Sequence, residues 1–178
     1  MSSSSPDRPG VGDFDFLIGS WQVTNRRLVS PLSGGSDWDE FPGVAVCHGT
    51  LFGGAANLDE ISFPTKGLSG LTLRLYDPQT RLWSLNWVSS RDGRLTPPIV
   101  GRFTADGYGE FHGDDSHEGR PVRCRFIWSR ITPVSARWEQ AFSVDGGATW
   151  ETNWIMEFAR VGAPAATDRT PASSEPVG

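Results

Sequence analysis

Apolar and polar residues alternate with a period of two along most of this 178-residue chain, and no long stretch repeats apolar residues at helical spacing. Period two is the mark of strands, because successive side chains leave opposite faces of a pleated backbone. Turn signals interrupt the alternation roughly every 8 to 14 residues: Pro31 to Gly35, Gly53 and Gly54, Pro64 to Gly67, Asp77-Pro78, Asp92-Gly93, Asp106-Gly107, Asp114 to Gly119, Thr132-Pro133 and Asp145 to Gly147. About ten short strands result, the spacing expected of an antiparallel up-and-down barrel or a sandwich. One segment, Asp13 to Gly19 (DFDFLIG), reads as a short helical turn.

The alternation assigns faces strand by strand. Pairing Ser143 with Thr149 in the last hairpin sets Phe142 opposite Trp150, Gln140 opposite Thr152 and Trp138 opposite Trp154. The other face then carries Arg137, Glu139, Glu151, Asn153 and Glu157. One strand earlier, Val122, Cys124, Phe126 and Trp128 share the inner parity, with Arg123 and Arg125 outside. Around Asp77-Pro78, burial favours pairing Leu75 with Trp83, Leu73 with Leu85 and Leu71 with Trp87, leaving Thr72, Arg74, Ser84 and Asn86 outside. A turn over Thr104 to Gly107 makes Phe103 face Tyr108, and the inward set becomes Ile99, Gly101, Phe103, Tyr108, Glu110 and His112. That strand sends ionisable groups inward.

The length suits one domain with a sizeable core. Eight Trp, 10 Phe and 21 Gly are high for that length and fit strands joined by tight turns. The net charge is −5, and Lys and Arg are scattered rather than gathered into a stripe, which argues against nucleic acid as a partner. Residues 1–12 and 161–178 are rich in Pro, Ala, Ser and Thr and are expected to be disordered tails on a barrel spanning 13–160. The N-terminus lacks the apolar centre of a signal peptide, and nothing approaches the ~18 apolar residues of a membrane span. A cytoplasmic protein with no membrane partner is expected, its Cys47 and Cys124 being free thiols used in packing.

Gly19 and Trp21 form a Gly-x-Trp at the start of the first strand, behind a helical turn, and Arg160 closes the last strand. This arrangement resembles the calycin superfamily, the lipocalin and fatty-acid-binding-protein barrels, and in particular its uncharacterised bacterial lipocalin-like groups. The resemblance covers Asp13 to Arg160 and implies an all-β fold: a single antiparallel up-and-down barrel of about ten strands. It also implies that Trp21 packs across the closed end with Arg160 over it. Two departures qualify it. Fatty-acid-binding proteins insert two lid helices after the first strand, but Ser30 to Phe41 (SPLSGGSDWDEF) is too short and glycine-rich for them. Haem-binding nitrobindins use a late histidine ligand, whereas no histidine follows His117, so no haem or other cofactor is expected. Ser143 to Trp150 (SVDGGATW) also matches the Asp-box of sialidase-like propellers. A propeller needs repeated blades, and one copy reads as a well-made hairpin.

Glu110 and His112 are two apart on a strand and leave the same face, so inside an apolar cup they form a candidate acid/base pair. The opposite reading is a register one residue away, with Phe111 inside. The run from His112 to Glu118 is rich in metal-ligand types, but turns use the same residues and no second cluster converges on it; no metal is expected. Cys47 and His48 are adjacent on a strand and point to opposite faces, which a nucleophile pair cannot do. Trp83, Trp87, Trp128, Trp138 and Trp154 all take the inner parity. Core filling accounts for some of them, yet a ten-stranded barrel is wider than side chains alone can fill.

The leading expectation is a barrel that binds a hydrophobic or aromatic small molecule. Those five tryptophans, with Phe126 and Tyr108, form the wall, and Gln140, Glu110 and His112 are polar anchors. The alternatives are a cyclase or isomerase working on a hydrophobic substrate through Glu110 and His112, and a packed barrel whose outer strands serve association, including with its own copies.

Overall fold

A computed structural model describes residues 10–162 of the chain, with every strand running antiparallel to its neighbours. The strands are β1 (Gly19–Leu28), β2 (Trp38–Leu51), β3 (Ala56–Phe63), β4 (Leu68–Asp77), β5 (Leu82–Ser89), β6 (Ile99–Phe103), β7 (Gly109–His117), β8 (Arg120–Ser129), β9 (Ser135–Ser143) and β10 (Glu151–Arg160). Each pairs with the next in sequence, and β10 pairs with β1, so all ten close one barrel. The fold class is the expected one. Short 3-10 turns at Asp15–Leu17, Phe52–Gly54 and Pro64–Lys66 are the helical elements among the described residues, and no helix there is long and apolar enough to cross a membrane. Apart from residues 10–12, 161 and 162, the two tails lie outside the described residues.

Up-and-down topology sends alternate connections to opposite ends. The end reached by the N-terminal segment is packed solid. Phe14, fully buried, meets Trp83 and Phe103 edge-on at 5.0 Å between ring centroids in each case. This plug begins before Asp13, because the Gly12 amide donates to the Gly54 carbonyl at 3.0 Å and Trp83 Nε1 donates to the Gly10 carbonyl at 3.0 Å. Trp21, also fully buried, lies opposite Arg160 in the β1–β10 register. The Arg160 guanidinium sits 4.1 Å from the Trp21 ring centre and donates to the carbonyls of Pro133, Ile18 and Phe16. Gly19, at φ 116°, leaves room for it: a Cβ there would lie 2.7 Å from Arg160 Nη1.

Three hairpins differ in register from the expected pairing, each because its turn uses more residues. At Asp77 the strands close between Asp77 and Leu82, with Arg81 at φ 58°, so Tyr76 opposes Trp83 and Arg74 opposes Leu85. Thr72, Arg74 and Tyr76 therefore share the inner face with Trp83, Leu85 and Trp87, and Leu71 is left 41% exposed on the outside. Tyr108 belongs to the β6–β7 turn, where its carbonyl accepts from the Thr104 amide at 2.8 Å, and Phe103 opposes Gly109. In the last hairpin Phe142 opposes Glu151, and a bulge between Thr152 and Trp154 shifts the register again. The bulge returns Trp154 to the interior, whereas Trp150 ends up outside.

Candidate functional site at the open end

Above the plug the barrel encloses a cavity of about 330 Å³. Its wall includes Trp87, Phe126, Trp128, Trp138 and Trp154, each delivered by the inward parity of its strand. Trp138 and Trp154 meet edge-on at 5.6 Å, and Phe126 meets Trp138 at 4.9 Å. Trp154 is oriented by Nε1 donating to Asn25 Oδ1 at 3.0 Å. Trp87 packs its ring against Gly70, where a Cβ would come within 1.9 Å of it. Gln140 reaches the same space, and its Nε2 donates to Asn153 Oδ1 at 2.9 Å, the bulge residue. Trp83 is not part of this wall; it is 1% exposed within the plug.

The polar group deep in the lumen was not among the expected site residues. Arg74, 4% exposed, donates through Nη1 to Asn57 Oδ1 at 2.8 Å and to Asp59 Oδ1 in a buried ion pair. Its guanidinium lies 5.1 Å from the Phe14 ring centre and 6.0 Å from that of Trp128. Arg74 and Asp59 both line the cavity. A signal for them existed in β3, where Asn57 and Asp59 share a parity with the buried Ile61 and Phe63. A strand with that pattern needs a cation opposite if the polar pair points inward.

Beyond the cavity a second space of about 320 Å³ forms the mouth, sharing Arg27, His117 and Trp154 with the first. Arg91, Lys66, Asp39 and Glu118 also border it. Burial, and secondarily the charge of Arg91, lower the Arg27 guanidinium below its ordinary pKa, although the residue as a whole is exposed at the rim.

Glu110 and His112 face away from the lumen, which corrects the inward reading. The residue of β7 that points in is Phe111, fully buried, because the longer β6–β7 turn moves the register by one. The pair is joined at 2.8 Å between His112 Nε2 and Glu110 Oε1 and is partly exposed on the barrel's outside. Trp150 covers it there, 5.5 Å from the His112 ring, with the Arg125 guanidinium 4.6 Å from the Trp150 ring centre. Tyr108, expected in the wall, is 36% exposed at the turn. Cys47 is buried and His48 exposed, on opposite faces; burial pushes the Cys47 thiol up to about 11 and raises that of Cys124 further. Among the described residues no three His, Cys, Asp or Glu side chains gather so as to hold a metal ion.

No family model matches the chain, and no curated protein matches it. Among solved structures it is similar to the S-type phycobiliprotein lyase CPES from Guillardia theta, with a TM-score of 0.53 at 11% identity. The match covers 84% of this chain and 91% of that one. At such identity the likeness shows the fold alone. The ten-stranded antiparallel barrel stands as expected, and no family match ties the chain to a lipocalin-like group.

Proposed function

We propose that the barrel binds a hydrophobic or aromatic small molecule in its lumen. The observation that carries this reading is the asymmetry of the interior: one end is packed by Phe14 and its neighbours, and the other keeps a cavity of about 330 Å³ walled by tryptophan. That volume falls in the range of small-molecule sites, which are mostly apolar with a few placed polar groups. Here those groups are Gln140 and the Arg74–Asp59 pair. A barrel packed shut would leave no such space. The fold shared with a phycobiliprotein lyase is compatible with the reading and does not carry it.

A second reading, acid/base turnover of a bound substrate, rests on Asp59, a carboxylate that is both buried and in the cavity wall. It does not rest on Glu110 and His112, which lie outside. Titration of tryptophan emission with 1-pyrenebutyric acid tests binding: saturable quenching at one site per chain is expected. Thr72→Trp, which adds a ring to the lumen from β4, is expected to abolish it. A flat response to this acid, its methyl ester and other polycyclic probes would contradict the proposal.

A further inference from the structure

Two arginines line the cavity, one deep and one at its rim, and they differ in what neutralises them. Arg74, deep in the lumen, is paired with Asp59. Arg27 continues the inward series of β1 after Trp21, Val23 and Asn25, and its guanidinium lies 4.5 Å from the ring centre of Trp154. Among the described residues no carboxylate lies within ion-pair distance of it. Its cross-strand partner, Asp39, is held instead by Lys66. The other charged or titratable groups around this space are Arg91, Glu118 and His117 at the mouth, and Asp115, whose carboxylate accepts from the Ser116 amide at 2.7 Å.

We propose that the ligand is an organic anion, bound with its apolar body against Trp138 and Trp154 and its acid group at the mouth, on Arg27 with Arg91 beside it. This rests on the lumen-binding reading and adds the ligand's charge and direction. The Arg27 guanidinium rests on the Trp154 ring, and among the described residues no acceptor takes its N–H groups, which match a carboxylate in a bidentate pair. An anion between Arg27 and Arg91 also relieves the repulsion of two neighbouring cations. The reverse direction brings the acid toward Asp59, whose negative charge already occupies Arg74. The deep end suits a neutral group instead.

The experiment compares 1-pyrenebutyric acid with its methyl ester, which share an apolar body and differ in charge, by quenching of tryptophan emission in the whole chain. The native protein is expected to bind the acid about tenfold or more tightly than the ester, the size of a charge-assisted hydrogen bond. Arg27→Gln is expected to remove that preference while leaving ester affinity within about threefold, and Arg91→Gln to reduce it less. A circular dichroism melt of Arg27→Gln that matches the parent shows that the loss is not one of folding. Equal binding of acid and ester by the native protein, or a preference that survives Arg27→Gln, would overturn the inference and leave lumen binding standing. If neither probe binds, lumen binding itself falls, and the anion anchor with it.

Discussion

The two ends of the barrel are built from the same kinds of side chain and have opposite properties. At the closed end Phe14, Trp21 and Trp83 are buried to 1% exposure or less, and both indoles donate to backbone carbonyls, Trp21 to Leu17 and Trp83 to Gly10. At the open end Trp138 and Trp154 are each 8% exposed, Trp87 is half-buried, and space remains between them. What differs is the filler. Ten strands make a barrel too wide for its own side chains to fill. Residues 10–17 enter one end and complete it, whereas at the other the β1–β2 connection packs Leu32 against the core and leaves the cavity unfilled. Aromatic content alone therefore does not distinguish a core from a binding wall; the presence of a plug does.

Removing the plug's central ring should break the contrast most severely. Phe14→Ala is expected to cost about 3 to 5 kcal/mol in urea unfolding, as for other buried aromatic truncations, while the folded fraction keeps its probe affinity. Asp59→Ala, at the boundary between the ends, strands the buried Arg74 charge and is expected to cost about 3 kcal/mol. The double change Asp59→Leu with Arg74→Met should cost less than that single change, a comparison that a second unfolding series makes directly.

At the rim of the open end, hydrogen bonds from the Thr149 hydroxyl and amide and from Ser143 hold the Asp145 carboxyl well below its ordinary 3.8. A carboxyl depressed in the folded state stabilises through its ionised form. Its contribution is complete above pH 3.8 and fades as pH falls through the lower folded value. Asp145→Asn should therefore lower Tm at neutral pH, with the gap to the parent closing only in strong acid. The smallest effect is expected from Glu110→Gln with His112→Asn. That pair lies outside both ends, and its loss should change stability by about 1 kcal/mol or less and leave probe affinity unchanged.

Much of the barrel was legible from alternation, because the inward parity of β8 and β9 is carried by large apolar residues with arginine or glutamate between them. The turns were the weak point. At Asp77 and at Thr104 one extra residue in the connection reverses the parity of the strand that was being matched, and nothing downstream restores it. Three leucines of β4 then read as core while Arg74 read as surface, since no local pattern announces that a guanidinium will find Asn57 and Asp59 one strand away. The last hairpin suffered a similar miscount, yet Trp154 was placed correctly because the bulge at Asn153 restores its parity. Phe111 illustrates the same rule from the other side: the lumen excludes Glu110 and His112 because the turn has five residues rather than four.

The indole N–H signals of the tryptophans in a ¹⁵N correlation spectrum, assigned by single Trp→Phe substitutions and followed during titration with 1-pyrenebutyric acid, read the two ends separately. Trp138 and Trp154 should shift in proportion to one saturable site, while Trp21 and Trp83 hold still. Equal shifts at both ends, or none at the open end in the presence of excess probe, would contradict a barrel plugged at one end and receptive at the other.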